Sequence, residues 1–301
     1  MSAEYGYAPE HLLAGQPATL AATFADSEGA PVDPGVVTVT ITRRDGTALA
    51  TDAATDGTGA AARTYALTGA QTAALDLLTA VWSGTVGGAP ATITTYHETI
   101  GAWLFTVAEA RQFGRRELTD AARYPAARIA QERARILDDF TRICGVSFVP
   151  RSAEALLGGD GNAAVLRLPH LHLRGVTGIA TRAGGAAAWE EYDAGALAAV
   201  RVGPGGVLER AGVAWRWGIG GVRVRYTHGY DAPPPAIRRA ALALLAAQLV
   251  PSDVSARATQ QTTEYGTYNL AVAGWRDRAY YGIPEVDAVL ARYDETVPGI
   301  G

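Results

Sequence analysis

Lysine is missing altogether: all 26 basic residues of this 301-residue chain are Arg. Two chemistries go with it. A Walker A loop needs its Lys to hold phosphates, and a Schiff-base or pyridoxal-phosphate enzyme needs a Lys amine. The abundance of Ala, Gly and Arg points to a GC-rich coding sequence as the origin of the bias. Cysteine is nearly absent too. Cys144 stands alone, which excludes an internal disulfide and a cysteine-based zinc site. It closes an amphipathic helix just before Gly145, a position that reads as a buried structural thiol rather than a nucleophile. No apolar run approaches the ~18 residues that a membrane span needs. The opening stretch MSAEYGYAPEHLLAG lacks a basic n-region, so no secretory signal is expected, and the chain is expected to stay in the cytoplasm where it is made. A dense basic patch is missing as well. Residues 1–98 hold ten acids against three Arg, and residues 99–301 hold twenty acids against twenty-three Arg. Neither balance suits tight nucleic-acid binding.

What is present is a globular composition, 48% apolar and 19% charged, long enough for two or three cores. The first hundred residues read as all-β. Apolar and polar residues alternate over 18–24, 36–42, 63–67, 80–86 and 91–98. Turn residues separate these runs: Asp33-Pro34-Gly35, Asp45-Gly46, Asp56-Gly57 and Gly87-Gly88. Asp45-Gly46 fits the tip of a hairpin. Short strands at this spacing predict a small immunoglobulin-like sandwich, with a helical connecting turn over 68–78.

The pattern changes near Ile100. Thr106 and Glu109 make a capping-box pair that opens a short helix through Phe113. A longer helix follows Pro125, with Ile129, Ile136, Phe140 and Ile143 on one face and Gly145 at its end. Strands are expected again over 165–168, 171–181, 207–210 and 221–227. Pro233, Pro234 and Pro235 then pre-set a helix start. From Ala236 to Val250 only Arg238, Arg239 and Gln248 are polar, and Pro251 stops the element. A helix apolar on nearly every side must be covered all round. A neighbouring subunit is the expected cover, with Ile237, Leu242, Leu244, Leu245 and Leu249 as subunit-packing residues. A final helix runs from Pro284 to about Tyr293, with Glu285 and Asp287 favourably placed in its first turn.

Candidate chemistry is thin. His170 and His172 are two apart and would share one face of a strand, with His228 the only other histidine in this half; together they make the weak case for a metal-dependent hydrolase. Two histidines on an exposed strand face need no function. The glycine clusters of LLGGDGNAA and WRWGIGGVRV superficially resemble phosphate loops, but neither stands between a strand and a helix N-terminus. WGIGG reads instead as a hairpin turn. No GxSxG elbow is present. Asp138 with Asp139, and Glu190 with Glu191, are neighbours in sequence whose side chains diverge. No catalytic, cofactor or metal site is therefore assigned.

The segment 253–283 is different. Tyr265, Tyr268, Trp275, Arg276, Arg278, Tyr280 and Tyr281 are interleaved with small polar residues. Tyr, Trp and Arg anchor protein interfaces, so these seven residues are the expected partner interface. The plain alternative is a loop pinned to its own core by aromatics.

Taken in order, FTVAEARQFG, FTRICGVSFVPRS, YTHGYDAPPPAIRRAALALLAAQLVPS and GIPEVDAVLARY resemble the head-to-tail adaptor (connector) proteins of long-tailed bacteriophages of actinobacterial hosts. The N-terminal PVDPGVVTVTITRRDGT and LDLLTAVWSGTV resemble the β-domain that such adaptors carry in front, so the resemblance spans nearly the whole chain. It implies a non-enzymatic virion protein without cofactors. Family members form a ring, usually of twelve subunits, between the portal protein and the stopper or tail-completion proteins, and double-stranded DNA passes through the channel. The resemblance implies a location in the neck of the virion, with assembly in the host cytoplasm. A β-rich surface or carbohydrate-binding module is the alternative from another class.

The expected fold class is α+β. An immunoglobulin-like β-domain covers 1–99, and a helical adaptor core covers 100–252 with a β insertion at about 164–228. An extended arm and C-terminal helix occupy 253–301.

Overall fold

Period-two alternation builds the first layer of the protein. In the computed structural model, which describes residues 9–114, 117–159, 165–183, 187–203, 205–210, 215, 218–250, 260–263, 266–269 and 280–295, eight strands precede the first helix. They are β1 (Glu10–Leu13), β2 (Ala18–Thr23), β3 (Thr38–Arg43), β4 (Ala48–Ala54), β5 (Asp56–Gly57), β6 (Ala62–Leu67), β7 (Leu77–Val86) and β8 (Ala89–Ile100). Leu20 and Ala22 of β2, Val39 and Ile41 of β3, and Leu78, Ala80 and Trp82 of β7 all point inward. One sheet runs β1-β8-β7-β3-β4 and the other β2-β6-β5. β1 lies parallel to β8, and the remaining pairs are antiparallel. This is the strand order of an immunoglobulin-type sandwich. Trp82 fills its centre without a disulfide, and its Nε1 donates to Thr95 Oγ1 at 3.0 Å.

The helical layer follows. α1 (Val107–Gln112) carries the expected capping box: Glu109 N donates to Thr106 Oγ1 at 3.1 Å, and Thr106 N donates to Glu109 Oε2 at 2.8 Å. α2 (Ala126–Cys144) buries Ile129, Ile136, Leu137, Phe140 and Cys144, and ends on Gly145 at φ 69°, a left-handed C-cap that glycine adopts without steric cost.

β-structure then returns as β9 (Arg151–Gly159), β10 (Val165–Arg167), β11 (Leu173–Thr181), β12 (Glu190–Glu191), β13 (Val200–Gly203), β14 (Val207–Arg210) and β15 (Gly218–His228); α3 (Ala194–Ala198) is capped by Asp193. The sheets are β12-β11-β15-β9 and β10-β14-β13, around Ile179, Leu208, Trp215, Val222, Val224 and Tyr226. This region begins at Arg151, earlier than the expected 164. RSAEALLGG has no β-branched residue and reads poorly as a strand, yet it pairs with β15 from Arg151↔His228 to Leu157↔Val222. Tertiary pairing overrides local preference here. WGIGG is not a hairpin turn either: Gly218 and Gly220 lie within β15, where the register with β9 shifts.

α4 (Pro235–Leu249) starts on the prolines as expected. A short antiparallel pair, β16 (Gln260–Thr263) and β17 (Gly266–Asn269), and α5 (Pro284–Arg292) complete the described chain. The expected cover of α4 is overturned. Ile237, Leu242, Leu244, Leu245 and Leu249 are all buried within one chain, at 0–8% exposure, in a core shared with α1, α2 and α5. α1, α2 and α5 pack against its apolar residues, so these side chains need no neighbouring subunit. Its outward residues are Pro235, Arg238, Arg239, Ala247 and Gln248.

Candidate functional site

The three histidines that motivated a metal site do not converge. His170 and His172 sit in the link between β10 and β11, not on a strand. His170 stacks on His228 with ring centroids 3.7 Å apart, and its Nδ1 lies 2.7 Å from the Tyr226 hydroxyl. Burial pushes the pKa of His170 down to about 4 and that of His228 to about 3, so both rings are neutral near pH 7. His172 turns the other way, onto Glu295 at 2.9 Å and the face of Tyr230. Among the described residues no three His, Cys, Asp or Glu side chains are grouped to hold a metal ion.

Cys144 is buried, and burial raises its thiol to about 12. That leaves it protonated and inert. On the sandwich, an open groove of about 410 Å³ is lined by Val36, Asp52, Thr55 and Arg63. It offers no aromatic ring for a sugar to stack on. No described helix is long and apolar enough to cross a membrane.

Of the seven expected interface residues, Tyr265, Trp275, Arg276 and Arg278 lie outside the described residues, and Tyr268 is placed only as part of β17. Tyr280 and Tyr281 form the root of the segment. Tyr281 packs against Phe140 with ring centroids 6.3 Å apart, and its backbone N donates to Asp287 Oδ1 at 2.9 Å. Gly282 N donates to the second Asp287 oxygen at 2.9 Å, and Tyr280 reaches Asp294 at 3.4 Å. These two tyrosines tie the segment to α5 and α2.

The outer face of the helical layer is a lattice of ion pairs. Arg135 bonds Glu132 at 2.9 Å, Asp139 at 3.2 Å and Gln248 of α4 at 2.5 Å. Arg142 pairs with Asp139, Arg238 with Glu109 and Arg239 with Glu285. Each such exposed pair is worth about 0–1 kcal/mol. Their consequence is that four cations of this face, Arg135, Arg142, Arg238 and Arg239, are already matched.

The most tightly built polar cluster lies where the sandwich meets the helical layer, and nothing in the sequence pattern brought these residues together. His11 of β1 sits between two carboxylates. Its Nε2 is 2.8 Å from Asp138 Oδ1 of α2, and its Nδ1 is 3.4 Å from Glu98 Oε2 of β8. Arg151 of β9 grips both Glu98 oxygens, with Nε at 2.8 Å from Oε1, and places Nη1 3.4 Å from Asp138. Burial raises the Glu98 pKa, but Arg151 and His11 outweigh it and hold the carboxyl at about 2. Burial likewise lowers His11, yet Asp138 and Glu98 reverse the shift and leave it raised above its usual value.

No protein-family model and no curated protein matches this chain. Solved structures similar to it include two from the necks of GTA particles. One is a chain in the neck of an empty GTA particle with C6 symmetry: 19% identity over 66% of this chain and 93% of that one, TM-score 0.46. The other is a chain in the neck of a native GTA particle with C12 symmetry: 16% identity over 67% of this chain and 98% of that one, TM-score 0.41.

Proposed function

We propose that this chain is a structural protein of a phage-type neck, a head-to-tail adaptor. It assembles as a homo-oligomeric ring, of twelve subunits by the resemblance, between portal and stopper or tail-completion proteins, with double-stranded DNA passing through. The observation that carries the reading is the fate of the four motifs behind the resemblance. FTVAEARQFG becomes α1, FTRICGVSFVPRS becomes the end of α2 and the turn into β9, the triple proline opens α4, and GIPEVDAVLARY becomes α5. All four supply side chains to a single helical core. They are scaffold, which is what a wall element requires and a catalytic motif does not.

Two features support the reading. Four arginines of the outer helical face, Arg135, Arg142, Arg238 and Arg239, are paired with carboxylates, which suits a conduit along which DNA slides better than a surface that grips phosphate. The tyrosine-rich segment rooted at Tyr280 and Tyr281 provides the residue types of a partner contact, with Tyr265, Tyr268, Trp275, Arg276 and Arg278 as the proposed portal-binding group. Because α4 is satisfied inside one chain, ring contacts fall to the outward faces, one patch on each subunit meeting a different patch on the next.

Mass photometry of the purified chain mixed with its portal rings tests the proposal. A defined complex of fixed mass is expected. A chain that never joins portal at any salt concentration contradicts it.

A further inference from the structure

The sandwich is wholly N-terminal to the rest, so the chain crosses between the two units once, at Ile100 and Gly101. Gly101 N donates to Pro150 O at 2.8 Å, and a Cβ at Gly101 would meet the Pro150 ring at 2.7 Å, so the crossing is close and needs glycine. Beyond that crossing polar ties join the units: a long ion pair of Asp45 with Arg225 of β15 at 4.0 Å, and the more buried cluster of His11, Glu98, Asp138 and Arg151. Two members come from the sandwich and two from the other side of the junction.

The balance of charge depends on His11. With its ring protonated, two cations face two carboxylates. With the ring neutral, Arg151 stays on Glu98 while Asp138, whose side chain is 39% exposed, loses the cation 2.8 Å from its Oδ1, so the junction loses one charge-assisted contact. The groups facing His11 come from every neighbouring element: Glu10 on its own strand, His97 and Glu98 on β8, Asp138 on α2 and Arg151 on β9. The edge of Trp103 closes the remaining side at 6.1 Å, with Arg133 of α2 stacked 3.8 Å over that indole. His97 is engaged elsewhere, 3.2 Å from Glu10 and 2.9 Å from Thr95 Oγ1.

We propose that protonated His11 is a latch that fixes the orientation of the β-sandwich on the helical layer, and that loss of its proton lets the sandwich swing about Gly101. The sign follows from linkage. The latched state raises the affinity of His11 for its proton, so the latch is fully present below the ordinary histidine value and is lost as pH rises through the raised one. Glu98 stays ionised throughout that range. The latch belongs to the free chain, whatever it assembles with.

Spin labels on Thr92→Cys and Ala127→Cys in the full chain report the angle between the units; both positions are exposed, and the native Cys144 is buried away from the label. Double electron–electron resonance should give one narrow distance near about pH 6 and a broadened distribution near about pH 9. His11→Gln should be broad at both. Asp138→Asn removes a carboxylate that favours the proton, and should move the broadening to lower pH. If His11→Gln disrupts the sandwich, the pH series on the otherwise native chain still decides. A distribution unchanged between the two pH values, or a folded His11→Gln as narrow as the parent, overturns the latch.

Discussion

Replacing Leu245 with Ala asks directly whether α4 is covered by its own chain. Leu245 is fully buried in the core shared by α1, α2, α4 and α5. Removing three carbons there leaves a cavity that close-packed neighbours refill only in part. Such a Leu→Ala change costs about 2.7–5.0 kcal/mol, against a total domain stability of about 5–15 kcal/mol. The assay is urea unfolding followed by far-UV circular dichroism, at a concentration where sedimentation velocity shows one chain. The midpoint should fall with the slope unchanged. Ala247→Gln, on the outward side of the same helix, should stay within about 0.5 kcal/mol of the parent. The reasoning fails if Leu245→Ala unfolds like the parent as a free chain and loses only its ability to assemble, because that is the behaviour of a helix covered by a neighbour.

Leu244→Asp places a carboxylate at a site 1% exposed and should leave the free chain unfolded or insoluble; a well-folded, assembly-competent variant contradicts this. Arg151→Met strips the partner from a buried Glu98 and should cost about 3–5 kcal/mol in thermal or urea unfolding, with a neutral result arguing against the junction cluster as built. In acid, Glu98 contributes stability present above its ordinary value of 4.5 and lost as pH falls towards about 2. Trp103 fluorescence, followed downward in pH, should therefore change in that window and not between about pH 5 and 6. Trp275→Ala combined with Tyr280→Ala should weaken portal attachment while the far-UV spectrum stays as in the parent; unaltered attachment removes the segment from the interface.

Local periodicity carried much of the fold. The alternation of Leu20, Val39, Ile41, Ala80 and Trp82 is enough to place the sandwich strands, because one buried face per strand imposes a period of two. The capping box at Thr106, the glycine at 145 and the triple proline each fix a helix end through backbone chemistry that acts within a few residues. β9 escaped because its residues favour no strand on their own and are held by β15 alone. The covering of α4 escaped for a different reason: an apolar helix announces that it is covered, never by what. The His11–Glu98–Asp138–Arg151 cluster joins positions up to 140 apart along the chain, and no spacing rule links them. His170 and His172 went the opposite way, since a link without strand geometry lets adjacent histidines face different neighbours.

A neck ring is the assembly proposed for this fold. Negative-stain imaging of the purified chain with its portal rings tests it most directly. The account predicts an annular layer added to one end of the portal, with the N-terminal sandwiches projecting as discrete lobes. Bare portal beside free single chains, across the salt range that keeps both soluble, contradicts it.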